Sequence, residues 1–147
     1  MENLLNDQVI SQIKQTFEQL KEPVQILFFG SQDNCETCAD TRQLLEEVSA
    51  IGEKLSLSIY DLQADSDMAA KFNVDKAPAI VIAARDSDRV INSGIQYSGI
   101  PAGHEFGTLI NDILLVSSRD SGLSEEVRDF LKNLEKPLHL QVFVTPT

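Results

Sequence analysis

Apolar residues recur at helical spacing in several stretches of this chain. Near the N-terminus the recurring positions are Val9, Ile10, Ile13, Phe17 and Leu20. This pattern predicts an amphipathic helix over residues 6–21, which Pro23 ends. The remaining helices are predicted from about residue 35 to residue 51, over 65–73 and over 104–117.

Short apolar or alternating runs between these helices predict four strands, over residues 24–29, 55–62, 79–84 and 90–97. The first strands are separated by helices, which indicates parallel pairing, whereas the short polar turn 85–89 indicates an antiparallel hairpin. We therefore expect an α/β fold in which helices flank a mixed central sheet, with an extra helix at the N-terminus.

A second copy of the first helix and strand begins near the C-terminus. Residues 21–29, KEPVQILFF, are repeated 114 positions later as residues 135–143, EKPLHLQVF. At the same offset Ile13, Phe17 and Leu20 correspond to Val127, Leu131 and Leu134. We predict that residues 1–119 form one unit and that residues 120–147 are the helix and strand that begin a second unit, so that the chain is a fragment.

The apolar run 138–144 in the second copy is predicted to be a strand. Without a partner unit it must bury itself on the existing sheet or pair with another molecule. A homodimer through this C-terminal strand and a docked monomer are both expected outcomes.

The candidate catalytic residues are the two cysteines, Cys35 and Cys38, which two residues separate. A Cys-x-x-Cys pair between a strand and a helix exchanges a dithiol for a disulfide with little change in geometry. Cys35 is predicted at the helix start, where free N–H groups and the macrodipole favour a thiolate. We expect Cys35 to attack a substrate sulfur and the less exposed Cys38 to resolve the mixed disulfide.

Acidic neighbours oppose the thiolate of Cys35. The helix start favours it by about 0.3–1 kcal/mol, and a carboxylate about 7 Å away, such as that of Glu36, opposes it by about 0.8 kcal/mol at an effective dielectric constant of about 60. Asp33 and Asp40 act in the same direction. We therefore expect Cys35 to be less acidic than a cysteine with neutral or basic neighbours, and to suit reduction better than strong oxidation.

Pro78 precedes the third strand and is a candidate for shaping a substrate groove. In the expected fold, the Ala77–Pro78 peptide bond is predicted to be cis, to face the Cys35 loop and to turn the backbone of Ala77 outward. A substrate segment would then pair with that backbone as an extra strand. Ala77 and Pro78 are therefore the candidate substrate-binding residues.

Other polar residues leave alternatives open. Tyr60 and Asp61 end the second strand, where they either lie near Cys38 and help to take its proton or are surface residues. His104 and His139 would complete a zinc site with the two cysteines, but a single Cys pair is weak evidence for metal. We expect both histidines to be structural or exposed, with no metal and no cofactor.

Composition and charge narrow the classes of partner. The chain has 23 acidic and 12 basic residues, with a formal net charge of −11, and no basic stripe, so nucleic-acid binding is not expected. The acidic surplus serves solubility or steers the chain toward a basic patch on a redox partner. No apolar run approaches the ~20 residues of a membrane helix, and the acidic N-terminus resembles no signal or transit peptide. A cytoplasmic location is therefore expected.

The motifs resemble those of the glutaredoxin-like protein disulfide oxidoreductases, which carry two thioredoxin-fold units in tandem. The similar segments are residues 21–23 (KEP), 35–38 (CETC), 77–80 (APAI), 97–106 (YSGIPAGHEF) and, as the first strand of a second unit, 137–147. The resemblance implies a thioredoxin-like fold and a thiol–disulfide oxidoreductase. Its implied partners are protein thiols or disulfides and an unidentified reductase.

A related arrangement is the N-terminal region of the flavoprotein subunit of alkyl hydroperoxide reductase. There the first unit has typically lost its cysteines and serves as a scaffold, whereas this chain keeps both. The alternative function is accordingly a non-catalytic unit that supports a second redox unit.

Overall fold

A four-stranded sheet forms the centre of the computed structural model, which describes residues 3–145. Its strands are β1 (Val24–Gly30), β2 (Leu55–Asp61), β3 (Ala79–Asp86) and β4 (Arg89–Ser98), in the order β2-β1-β3-β4. β1 and β2 are parallel, and β3 is antiparallel to both β1 and β4. The predicted mixed sheet is confirmed.

Within residues 3–145 five helices are formed: α1 (Asp7–Phe17), α2 (Cys38–Ile51), α3 (Ser66–Lys71), α4 (His104–Ser118) and α5 (Glu125–Lys132). Side chains of α1, α2 and α4 share a core with one face of β1, and α3 packs on the opposite face. β1 is buried along its whole length because both of its faces are covered. None of these helices combines the length and the apolarity needed to cross a membrane.

α1 ends at Phe17, four residues earlier than the apolar pattern predicts. Beyond it the chain continues in tighter turns, in which the N–H groups of Gln19 and Leu20 donate to the carbonyls of Thr16 and Phe17. Leu20 is still buried in the core. Its helical spacing therefore reported burial correctly, although the backbone at Leu20 has left the α-helix.

The strand predicted over residues 138–144 is not formed. Residues 137–145 are an irregular segment after α5, in which Leu140 and Phe143 are 80% and 89% exposed. A strand needs a neighbouring strand to satisfy its backbone hydrogen bonds, and neither edge of the sheet pairs with this segment. The outer ends of the two predicted units, residues 1–2 and 146–147, lie outside the described residues.

One buried hydroxyl attaches the end of α4 to the start of β1. Ser117, which is 1% exposed, donates its Oγ–H to the carbonyl of Glu22 at 2.7 Å. The same oxygen accepts the backbone N–H groups of Lys21 at 2.9 Å and Glu22 at 3.1 Å. This contact holds the last turn of α4 against the segment that leads into the central strand.

Replacing Ser117 with Ala removes this hydroxyl and its three hydrogen bonds to the backbone of Lys21 and Glu22. The N–H of Glu22 keeps the carbonyl of Ser117 as an acceptor at 3.2 Å. We expect the free energy of unfolding, measured by urea denaturation, to fall by about 1–3 kcal/mol. The matched control is Ser118→Ala, because the Ser118 hydroxyl bonds only at its own helix end, where it donates to carbonyls and accepts the N–H of Asp120 at 3.3 Å. This variant should lose less than about 1 kcal/mol. Equal losses in the two variants would contradict the role assigned to Ser117.

Candidate functional site

The pairing of β1 with β3 determines what meets at one edge of the sheet. The last antiparallel pair of the two strands joins Phe29 to Ala79. The end of β1 and the start of β3 are therefore side by side. As a result, the loop that follows Gly30 lies next to the Ala77–Pro78 peptide, which immediately precedes β3.

The loop after β1 is held by short-range contacts. The Oγ of Ser31 donates to the carbonyl of Asp33 and accepts the N–H of the same residue, both at 3.1 Å. Asn34 has a φ of 52°, a left-handed conformation that asparagine adopts more readily than most residues. These two features turn the chain toward Cys35.

α2 begins at Cys38 rather than at Cys35, so the prediction that Cys35 starts the helix is wrong by three residues. The first helical bonds come from Thr41, whose N–H and Oγ–H both donate to the carbonyl of Thr37, at 2.9 Å and 2.6 Å. Cys35 therefore lies in the loop just before the helix. Because Cys35 precedes the first turn of α2, the helix dipole stabilises its thiolate less than it would at the helix start.

Cys35 and Cys38 form a disulfide in which the two Cα atoms are 5.4 Å apart. Cys38 is 9% exposed and belongs to the hydrophobic core, whereas Cys35 is half-buried and packs on its margin. An external sulfur atom therefore has access to Cys35, while the core shields Cys38. This difference in exposure is the one that the sequence predicted; the chemical roles of the two cysteines stay predictions.

Cys35 opens onto a surface cleft of about 600 Å3. The cleft is lined by Asn34, Cys35, Glu36, Thr37, Ala77 and Pro78. The Ala77–Pro78 bond is cis, as predicted, and the carbonyl of Pro78 accepts the N–H of Gly99 at 2.9 Å. Ala77 has no hydrogen-bond partner within residues 3–145. The structure thus brings the candidate substrate-binding residues to Cys35; the pairing of a substrate with Ala77 stays a prediction.

A second, smaller cavity of about 350 Å3 lies beside Cys38 and is lined in part by Tyr60 and Asp61. The carboxylate of Asp61 accepts the N–H groups of Gln63 and Ala64, each at 2.9 Å. These bonds, that of Ala64 foremost, lower the pKa of Asp61. Because a lower pKa makes a weaker base, the geometry favours a structural role for Asp61 in the turn after β2.

The two histidines do not join the cysteines. His104 is the exposed first residue of α4, and His139 is exposed in the segment after α5. In the part of the chain that the structure describes, no group of three or more His, Cys, Asp and Glu residues is arranged to hold a metal ion.

Sequence reasoning did not single out two residues of the cleft, Asn34 and Thr37. For Asn34 a signal existed, since an asparagine in a loop marks a position where the backbone can turn left-handed. Thr37 acts through its backbone carbonyl, which accepts both bonds from Thr41. A backbone acceptor leaves no mark on the sequence pattern.

The fold and this site define the class of the chain: it is a thioredoxin-fold protein with a Cys-x-x-Cys disulfide beside a surface cleft. It superposes on a protein disulfide oxidoreductase from Aeropyrum pernix with a TM-score of 0.77 and 27% identity, over 88% of this chain and 55% of that one. The NTD_N/C domain of the alkyl hydroperoxide reductase AhpF from Enterococcus faecalis gives a TM-score of 0.74 at 22% identity, over 85% and 58% of the two chains. That second likeness concerns the fold alone.

Among curated proteins the chain is similar to the AhpF component of alkyl hydroperoxide reductase. The Staphylococcus aureus protein is 30% identical over 144 residues, which are 98% of this chain and 25% of that protein. The Staphylococcus epidermidis protein is 27% identical over 145 residues. The chain thus spans about a quarter of the length of these relatives, and no protein-family model matches it. Both resemblances expected from the motifs are confirmed.

Proposed function

We propose that this chain is a thiol–disulfide oxidoreductase unit that acts on protein thiols and disulfides through Cys35 and Cys38. The observation that carries the proposal is the unequal exposure of the two cysteines, because Cys35 lines the cleft while Cys38 is 9% exposed in the core. The 27% identity to a protein disulfide oxidoreductase supports the same chemistry.

The exchange takes place in two displacements. The thiolate of Cys35 attacks one sulfur of a substrate disulfide, and the other substrate sulfur leaves as a thiolate. The thiolate of Cys38 then attacks the Cys35 sulfur and releases the first substrate sulfur, so that two electrons pass to the substrate and the protein disulfide forms. The two protons lost by the protein thiols balance those gained by the substrate thiols, and the reverse sequence oxidises a substrate.

Ala77 and Pro78 would orient the substrate during this exchange. Ala77 lines the same cleft as Cys35 and has a backbone without partners in the described chain. An extended substrate segment would bond to it as an added strand, which holds the attacked sulfur in front of Cys35. The carbonyl of Pro78 already accepts the N–H of Gly99, which fixes the position of the Ala77–Pro78 segment.

The partners proposed here are protein thiols or disulfides together with a reductase that renews the dithiol. The curated relatives are named as subunits of an alkyl hydroperoxide reductase, and this chain spans only about a quarter of their length. A reductase unit linked to the thioredoxin fold is therefore the electron donor that we propose. A cytoplasmic location fits an accessible redox disulfide, since disulfides there are mostly transient and catalytic.

Insulin reduction with dithiothreitol as electron source tests the oxidoreductase function. Wild-type protein should accelerate the reaction, and Cys35→Ser should return the rate to background because the attacking sulfur is gone. Ser118→Ala serves as a control that keeps both sulfurs and the cleft. Background rates for both wild type and Cys35→Ser would instead favour the alternative function, a scaffold for a second redox unit.

We also propose that residues 120–147 begin a second unit that covers the apolar side of α5. The repeat supports this division, because positions buried in its first copy are exposed in the second. Ile13 and Phe17 are 4% and 7% exposed, whereas their counterparts Val127 and Leu131 are 42% and 45% exposed. The burial that the sequence pattern demands is thus missing for the second copy, and a homodimer through the C-terminal segment is the competing way to supply it.

Hydrogen exchange on the dilute protein separates these arrangements. We expect the amides of residues 138–145 to exchange without protection, because the segment has no strand partner. The amides of β1, its counterpart in the first copy, provide the protected internal control. Protection of residues 138–145 that increases with protein concentration would contradict the second-unit proposal and favour the homodimer.

A further inference from the structure

We propose that the cleft at Cys35 selects disulfides that carry positive charge, and that Glu36 sets this preference. The inference rests on the proposed function, because it concerns the substrate of the same exchange. The partner that fits is a protein whose reactive cysteine lies among lysine or arginine side chains.

Glu36 occupies the position from which a charge acts most directly on the exchange. It follows Cys35 in the sequence, is exposed, and is the charged residue among the described residues that line the cleft. No lysine or arginine of the described chain is part of that lining. A substrate group that enters the cleft therefore meets a carboxylate and no opposing cation on the walls.

Around the cleft, exposed carboxylates outnumber basic side chains. Asp33 in the loop and Asp40 in the first turn of α2 are both exposed. Lys76 directly precedes Ala77 of the cleft. Its Nζ lies 3.5 Å from the carboxylate of Asp75, so this pair contributes little net charge. Arg42, beside the cavity of Cys38, is likewise paired, with its Nε 2.8 Å from Glu46.

Charge beside a reacting sulfur changes the rate in a direction set by the substrate. The attacking thiolate is itself negative, and the carboxylate of Glu36 adds to the field that a charged disulfide meets on approach. A cationic disulfide is then concentrated at the cleft and an anionic one is repelled. Salt weakens the effect over a Debye length of about 10 Å at 0.1 M.

Three small disulfides that differ mainly in charge isolate this effect. Cystamine carries two ammonium groups, bis(2-hydroxyethyl) disulfide is neutral, and dithiodiglycolate carries two carboxylates. With each one, the thiolate of Cys35 bonds to one sulfur and expels the other as a thiolate, and Cys38 then releases the remaining half. The reduced protein gives up two electrons in every case, so the chemistry is constant while the charge changes.

Stopped-flow rates of the reduced full chain, each divided by the rate of dithiothreitol with the same disulfide, give the selectivity. We expect a ratio of cystamine to dithiodiglycolate of at least about tenfold at low ionic strength, which approaches unity in about 1 M salt. Glu36→Gln should lower the ratio by about threefold or more. A change in the nucleophilicity of Cys35 affects all three disulfides alike and cancels in the ratio.

Glu53→Gln is the matched control, since it removes the same charge from an exposed residue just beyond the C-terminal end of α2. The 14 residues of α2, which span about 21 Å, separate Glu53 from the cysteine loop. The ratio should therefore stay at the wild-type value. Equal normalised rates for the three disulfides, or a ratio that Glu36→Gln leaves unchanged, would overturn the inference. If the neutral disulfide reacts no faster with wild type than with Cys35→Ser, the proposed function itself fails.

Discussion

The antiparallel pairing of β1 with β3 is the constraint on which the site depends. It joins Phe29 to Ala79 at the end of one strand and the start of the other, so the cysteine loop and the Ala77–Pro78 peptide must lie at the same edge of the sheet. Residues that are about 40 positions apart in the sequence thereby form a single cleft. Burial of β1 on both faces stabilises this register, because a slip by one residue would exchange the side chains that face its two cores.

Within that frame, the difference between the two cysteines is a matter of position relative to the core. Cys38 is the first residue of α2 and packs with the core, whereas Cys35 remains in the preceding loop. The two cysteines are close enough to form a disulfide, yet only Cys35 lines the cleft. In the exchange that we propose, acidic side chains around Cys35 would distinguish substrates by charge, so access and charge together would determine what the site accepts.

The sequence predicted most of this fold because the main elements have strong local patterns. The apolar run of β1, the helical spacing in α1 and the polar turn before β4 each fixed an element to within a few residues. The start of α2 was missed, because Thr41 bonds to the carbonyl of Thr37 and such backbone contacts are invisible in a sequence. The strand at 138–144 was predicted from its apolar pattern, but a strand also needs a neighbour, which a local pattern cannot supply.

Trapping the mixed disulfide with Cys38→Ser tests most directly whether Cys35 is the attacking sulfur. When this variant is reduced and mixed with a protein disulfide, we expect a covalent adduct through Cys35. The adduct accumulates because the resolving thiol is absent, and dithiothreitol reduces it. Peptide mass spectrometry locates the bond. An adduct that forms as fast through Cys38 in the Cys35→Ser protein, or no adduct at Cys35, would contradict the assignment of Cys35 as the exposed attacking sulfur.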